Sequence, residues 1–571
     1  MTVKKSKKLK KKSFFFEDYK ESEIIVNSIK SNLTKISLNR TAFLFFIFIS
    51  LIGIFSLKII YLSLSQEKNY YLLNEKFDFK KERGDIIDRN GVLIARNIDI
   101  YDAAVTPKLV KDKKKLLINL KLSIPGIDID NIKRNLNKNK YFYIKRRLTE
   151  EEYTKLWLLG DKAIDFPKRQ NRIYPQKNLF SHIIGQIDDK NNGISGVEKF
   201  FDSNLKKNLI NSSLNLTLDS NLQYLIREEL IKAQVHFNNI GSAAVLMDVE
   251  NGEILSLVSL PDYDLNKRAS IDEDIFTNKI TKGVYELGSV FKTFTVAAAL
   301  ENNLINTDTI FEELENQIFC SGRKISEHDK LPKNLTVEQI LIRSSNIGAV
   351  RIAQRIGIEK YSNFLNSLEL FKKIDFEIEE VGTPLPFRWG KCKLATASFG
   401  HGITTTPLQL AKAYAILGNG GYKIEPTILK KKIKKKNKQI ISSETSHKIN
   451  SILRKIVSNK EGTANFANIE GFDVAGKTGT ALKSINGNYT KKKLNTFVSL
   501  FPSHKPRYVF LVILDEPKPA PDFVYESPNG YKHKGEKRNT SGWNTVVVAG
   551  KIIEKIGPIL AINNLQASSK F

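Results

Sequence analysis

The chain has 571 residues, enough for two or three domains with a sizeable core, and its 41% hydrophobic and 26% charged content is ordinary for a globular protein. A formal net charge of +29 invites a nucleic-acid reading. The basic residues, however, fall in scattered runs (4–12, 111–115 and 430–438) without interleaved stacking aromatics, so anionic lipid or an anionic wall polymer suits the chain better.

In chain order, residues 1–40 carry eleven Lys/Arg against four Asp/Glu. An apolar run from Thr41 to Leu64 follows, of the ~20 residues needed to span a bilayer. It is too long for a cleaved signal peptide and lacks a small-x-small site at its far end, so it reads as a signal anchor. The positive-inside rule then makes 1–40 a cytoplasmic tail and puts residues from about 65 onward outside the cytoplasmic membrane. That placement removes nucleic-acid and ATP chemistry together.

From 65 to 235, short strand-like pieces alternate with turn signals. Asn90-Gly91 sits between two apolar stretches and predicts a hairpin. Residues 214–233 read as a strand, an N-cap at Asp219 or Ser220, and a helix. A second regime covers 236–560. Residues 242–261 form two apolar strands about Glu250-Asn251-Gly252, helical patterns occupy 289–302, 336–357 and 406–418, and strands follow at 473–482, 495–503 and 507–516. Asn486-Gly487 in the loop after the first of these marks an antiparallel meander. The pattern predicts an α+β domain with helices packed on one antiparallel sheet, and residues 561–571 read as a tail. Cys320 and Cys392 allow at most one disulfide and show no metal spacing; free or paired, they read as structural.

Ser-x-x-Lys occurs four times, at Ser65/Lys68, Ser203/Lys206, Ser289/Lys292 and Ser321/Lys324, so spacing alone selects none. Only Ser289 opens an apolar helix directly after a glycine, Gly288. There the spacing brings serine and lysine within reach, and the helix N-terminus favours developing negative charge. A lysine base must be neutral, and at an ordinary pKa only roughly 0.04% is neutral at pH 7. Burial beside Val290, Phe291 and Phe294, with a second cation nearby, supplies the bias. Lys477-Thr478-Gly479 occurs once in the chain. A substrate peptide added along this strand would meet Lys477, Thr478 and Thr480 with its terminal carboxylate, and the backbone N–H groups of Ser289 and Thr480 would form an oxyanion hole. Ser344-Ser345-Asn346 offers a hydroxyl to relay the proton and an amide to position substrate; taken alone it is equally a helix cap.

In this order, Ser289-x-x-Lys292, Ser344-x-Asn346 and Lys477-Thr478-Gly479 resemble the motif set of β-lactamases and penicillin-binding proteins. The membrane anchor fits the latter. From about 80 to 560 the chain resembles a class B penicillin-binding protein, through RGDIIDRNG (83–91), GISGVE (193–198), NLTLDSNLQ (215–223) and SSNIGA (344–349). Residues 395–421 resemble the division-specific, FtsI-like branch. The resemblance implies a β-rich, elongated pedestal of the dimerisation type over 65–235 and a serine β-lactamase-like transpeptidase domain over 236–560. It implies a D,D-transpeptidase in which Ser289 attacks the penultimate bond of a D-alanyl-D-alanine stem, Lys292 is the general base, Ser344 relays the proton and Asn346 positions substrate. Lys477 completes that set, with Thr478, Gly479 and Thr480 at the carboxylate and oxyanion. No cofactor, metal or nucleotide is implied. The expected partners are peptidoglycan stem peptides, a membrane glycan polymerase of the SEDS type and other division proteins.

The C-terminal TSGWNTVVVAGKII (540–553) departs from the family by lacking Ala-Ala-Pro, which leaves the last helix without a fixed placement. An elongation-specific relative with the same chemistry and a silent scaffold for a glycan polymerase are the alternatives. A sensor would need a cytoplasmic effector domain, and a β-lactamase a deacylating base; neither is visible, and a glycosyltransferase module is missing between anchor and pedestal. Arg83 and Asp85 are expected in a structural hairpin, Glu198 as a carboxylate linking pedestal and catalytic domain, and His401 as a structural loop residue.

Overall fold

The computed structural model describes residues 42–61, 83–188, 190–207, 213–267, 273–430, 437–485, 487–526, 532–534 and 538–568. The basic tail, the ends of the apolar run and most of the 430–438 run lie outside them. Ala42–Tyr61 is one helix with a mean hydropathy of 2.6, long and apolar enough to cross a membrane.

From Arg83 onward the chain begins with a four-stranded sheet. Strand β1 (Ile86–Ile87) turns at Asn90-Gly91 into β2 (Leu93–Tyr101), as the sequence predicts. Asp88 closes that turn by accepting from the backbone N–H of Asn90 and Val92, both at 2.8 Å, and its other oxygen accepts from Ser220 at the start of a later helix. A second small sheet, of β3 (Ala103–Val105), β4 (Phe142–Lys145) and β5 (Ile164–Asp165), has its own core. Helices α1 (Lys113–Ser123), α2 (Ile129–Asn137) and α3 (Glu150–Leu158) contribute Leu116, Leu120, Ile132, Leu136 and Leu156 to it. β6 (Lys168–Ile173) pairs with β2, and β7 (Leu214–Asn215) runs parallel to β1.

Glu198 accepts from Arg83 Nε at 2.5 Å and from Arg172 Nε at 2.7 Å, and all three are buried. Its partners therefore all belong to the N-terminal segment, which corrects the expected bridging role. The bridge is made by its neighbours: Gly196 N–H donates to the Glu380 carboxylate and Lys199 pairs with Glu379 at 2.5 Å. Two arginines must share the Glu198 carboxylate to compensate their burial, and that leaves it none for a distant partner.

After α4 (Ser220–Phe237), capped by Asp219, comes a five-stranded antiparallel sheet. Its first two strands are β8 (Gly241–Asp248) and β9 (Ile254–Leu260), and its other three arrive only after the helices. Strands β10 (Gln317–Cys320) and β11 (Arg323–Ser326) form a separate hairpin, and β12 (Ala475–Ile485), β13 (Asn488–Phe501) and β14 (Tyr508–Asp515) complete the sheet in the order β12-β13-β14-β8-β9. Every residue of β8, β9 and β14 is buried, which is why these strands read as continuous apolar runs rather than alternating ones. β12, which carries Lys477-Thr478-Gly479, lies at the edge.

The helix expected over 289–302 begins as a 3-10 turn, Gly288–Phe291, and continues as α5 (Lys292–Glu301). The single helix expected over 336–357 is two: α6 (Val337–Ile342) and α7 (Asn346–Ile356), broken at Ser344, whose φ is 58°. Ser345 caps α7 by accepting from Gly348 N–H. Cys320 and Cys392 are joined in a disulfide, tying the β10–β11 hairpin to α8 (Lys391–Ala397). Helix α9 (Pro407–Gly418) starts on a Thr406–Gln409 capping box and is followed by α10 (Ser443–Ser458). The last helix, α11 (Thr545–Ser568), runs through most of the expected tail.

Candidate active site

Three separate elements converge on one hydroxyl. Lys292, the first residue of α5, donates to the Ser344 carbonyl and, at 3.1 Å, to Ser344 Oγ. Lys477 on β12 donates to the same Oγ from 2.9 Å and to the Thr478 carbonyl from 3.2 Å. Both lysines are wholly buried. The left-handed backbone at Ser344 turns the chain between α6 and α7 so that its side chain and carbonyl both face Lys292.

Burial holds Lys292 down to about 7, with Glu327 opposing as a nearby negative charge. Lys477 is also pushed well below its ordinary value, first by burial and then by the charge of Lys292. Two ammonium groups sharing one hydroxyl cannot both stay charged in a dry site, so a neutral amine at neutral pH is the expected state of one. That is the condition a lysine base requires.

The two glycines at this point are dictated by contact. A Cβ on Gly288, which has φ +65°, would fall 2.8 Å from the Thr480 carbonyl oxygen, and one on Gly479 would fall 2.2 Å from the Leu287 carbonyl oxygen. The Ser289 turn and the β12 edge thus lie backbone to backbone at Gly288 and Gly479. Tyr414 on α9 pins the turn by donating to the Val290 carbonyl at 2.8 Å.

Ser289, Ser344, Thr478 and Thr480 line one cleft of about 1130 Å³. Thr463 and Thr478 hydroxyls lie 2.8 Å apart, and Ser541 N–H donates to Thr480 Oγ1 at 3.2 Å. The TSGW segment thus forms a wall of the cleft, and α11 starts directly behind it. Lys292 backbone N–H donates to the Ser289 carbonyl, but among the described residues the Ser289 hydroxyl has no hydrogen bond to the Lys292 ammonium, which donates twice to Ser344. Asn346 does not line the cleft. It is buried, its Nδ2 donates to the Ser326 carbonyl at 2.8 Å, and among the described residues its Oδ1 has no partner.

Glu327 escaped the sequence reading. Its carboxylate accepts from Ser345 Oγ at 2.6 Å and from Asn346 and Ile347 N–H, both at 2.8 Å, so it caps α7 and fixes the Ser344 turn. It follows the disulfide-tied hairpin, which carries it and His328 to the cleft wall. His328 is held below its usual value by burial, then by the charge of Lys292. No motif marks Glu327; only the fold brings it to the helix start. His401 lies outside the cleft lining, stacked on Tyr489 with centroids 4.5 Å apart.

Comparison with known proteins agrees with this geometry. Residues 242–536 match the penicillin binding protein transpeptidase domain, and residues 79–208 the penicillin-binding protein dimerisation domain. The chain is 30% identical over 494 residues to the probable peptidoglycan D,D-transpeptidase FtsI of Caulobacter vibrioides, covering 84% of this chain and 82% of that one. It is also 30% identical to stage V sporulation protein D of Bacillus subtilis, covering 77% and 75%. Among solved structures, penicillin binding protein 3 of Mycobacterium tuberculosis, complexed with aztreonam, shares the fold with a TM-score of 0.64 at 20% identity, covering 85% of this chain and 97% of that one. The chain belongs to the class B penicillin-binding proteins, the peptidoglycan D,D-transpeptidase family.

Proposed function

We propose that the cleft cross-links peptidoglycan stem peptides through a serine acyl-enzyme. The observation that carries this reading is Ser344 Oγ, accepting from two wholly buried lysines at the floor of a cleft that Ser289 also lines. Neutral Lys292 takes the proton of Ser289 as its Oγ attacks the carbonyl between the last two D-alanines. The N–H groups of Ser289 and Thr480 receive the oxyanion, and Thr478 and Thr480 hold the terminal carboxylate, with Gly479 allowing the close approach. Lys477 and Ser344 pass the proton to the departing D-alanine. An amine from a neighbouring stem then attacks the acyl-enzyme and forms the cross-link. Asn346 acts on substrate through the Ser344 turn that it anchors to Ser326.

Covalent labelling of the full chain with a fluorescent penicillin tests this reading. Label mapped to Ser289 and lost in Ser289→Ala supports it; equal labelling of both proteins sinks it.

The septal role, the membrane placement and the partners belong to the same proposal. The 395–421 segment and the FtsI-named relative favour division over elongation. The eleven-to-four charge balance before the apolar helix supports a cytoplasmic N-terminus and a periplasmic cleft, and the resemblance to the division branch supports a glycan polymerase of the SEDS type as partner. A fluorescent fusion that marks the side wall and not the septum would transfer the chain to the elongation role.

A further inference from the structure

The β10–β11 hairpin turns at Ser321-Gly322, both left-handed with φ of 47° and 76°, and among the described residues it pairs with no third strand. A two-stranded ribbon of this kind is marginal in water and needs a surface to lie on. Here that surface is small. Ile325 is buried with Val350 of α7 and Ala395 of α8, and Ile318, its cross-strand partner, packs against that cluster. The opposite face, with Gln317, Phe319 and Lys324, is exposed.

Two further ties hold the hairpin, one at each end. At the tip the disulfide joins Cys320 to Cys392, in the first turn of α8. At the base Glu327 N–H donates to the Asn316 carbonyl at 3.1 Å, the Ser326 carbonyl accepts from Asn346, and the Glu327 carboxylate takes the first N–H groups of α7. From Arg323 to Glu327 an extended strand spans about 13 Å, so tip and base are well separated. Hairpin, α8 and α7 therefore close a ring of contacts: covalent at Cys320, apolar at Ile325 and hydrogen-bonded at Glu327.

The ring closes beside the catalytic lysine. The Ser344 turn lies immediately before the helix start that Glu327 caps, and Lys292 donates to both oxygens of Ser344. Lys292 is faced by the charge of Lys477 from β12, and by His328 and Glu327 from the chain leaving the hairpin; of these, Glu327 is the acid. A carboxylate seated on α7 thus fixes both the turn that carries the acceptor oxygens and the negative charge that Lys292 feels. Glu327 itself stands in a loop, so the hairpin has to deliver it. A surface as small as the Ile325 cluster leaves a hairpin room to shift, and the covalent tie at the tip removes that freedom.

We infer that Cys320–Cys392 is a positioning pair for the acylation reaction, holding the hairpin so that the Glu327 carboxylate stays on the start of α7, within reach of the Lys292 charge. The pair lies outside the cleft lining and acts through Glu327. Because its readout is acylation of Ser289, the inference rests on the acyl-enzyme reading above.

The rate of Ser289 labelling by a fluorescent penicillin, followed against pH in the full chain, tests this for wild type, Cys320→Ser with Cys392→Ser, and Glu327→Gln. Loss of the disulfide should lower the plateau rate by roughly 2- to 30-fold, the span of coupling that positioning contacts carry. It should also move the acid limb toward lower pH, the direction expected of Glu327→Gln. Added to Glu327→Gln, it should move the limb no further. Wild type opened with a phosphine, freed of the reagent and kept from air should show the same displaced limb, and re-oxidation should restore the original; this arm reports even where the serine variant does not fold. A limb that stays in place while the Tm falls makes the pair a staple of the fold and overturns the inference, as does a shift of full size in the Glu327→Gln background; both leave the acyl-enzyme reading intact. A folded wild type that takes no label at Ser289 overturns both.

Discussion

Arg83 and Arg172 are buried about as deeply as Lys292 and Lys477, yet the two pairs stand in opposite surroundings. The arginines share Glu198, with Asp202 2.7 Å from Arg83 as a second acid. Among the described residues, the lysines meet only a hydroxyl and two carbonyls at hydrogen-bond distance. Glu327, whose charge bears on Lys292, spends its own hydrogen bonds on the start of α7. A buried cation with its counter-ion keeps its charge and fixes structure. A buried cation without one is pushed toward neutrality and becomes a base.

The largest expected contrast comes from removing one member of each cluster. Lys292→Met should cut the rate of Ser289 acylation by about 10²–10⁴-fold, measured by penicillin labelling. The same change should leave the Tm level or raised. Charging Lys292 in the folded state costs about 4–5 kcal/mol, less the lost bonds to Ser344. The sign follows from the depressed value: the cost is absent only well above the ordinary lysine value of about 10.4, where the amine is neutral folded or unfolded, and grows as pH falls toward 7. The Tm gain of Lys292→Met should therefore be greatest at and below pH 7 and shrink steadily as pH rises through 10.

Glu198→Ala should do the reverse. It leaves two buried guanidinium groups short of their shared acid and should cost about 3–5 kcal/mol of stability, seen as a lower Tm. Folded molecules should still acylate Ser289, since no cleft residue touches Glu198.

A smaller effect separates charge from geometry inside the cleft. Glu327→Gln keeps an acceptor for α7 but removes the negative charge that raises Lys292. Lys292 should then be neutral at lower pH, and the acid limb of the acylation rate should move down. A limb moving up would show that Glu327 acts mainly through the Ser344 turn. Smallest of all, Asp85→Asn removes a pair with the half-exposed Arg96 and should change stability by about 0–1 kcal/mol.

The same contrast explains what the sequence could and could not convey. Turns declare themselves locally, so the hairpins at Gly91 and Gly252 and the cap at Asp219 were readable, as were the wholly apolar strands. The order and context of the three motifs, not their spacing, singled out Ser289, Lys292, Ser344 and Lys477, which the fold gathers at one cleft. The break at Ser344 was hidden, because apolar periodicity continues from α6 into α7 and a left-handed serine leaves no compositional mark. The partners of Glu198 and the capping role of Glu327 come from distant segments or an unmarked loop. Counter-ions are assigned by tertiary contact, so the property that divides structural from catalytic cations is the last to show.

The most direct measurement is the rate of Ser289 acylation by a penicillin as a function of pH, for the full chain from pH 5 to 10. A neutral Lys292 predicts a rate that rises with pH to a plateau, half-maximal near pH 7, with that limb absent from the residual rate of Lys292→Met. A midpoint near 10, or a wild-type limb unchanged in Lys292→Met, would contradict the claim that an uncompensated buried lysine activates the serine.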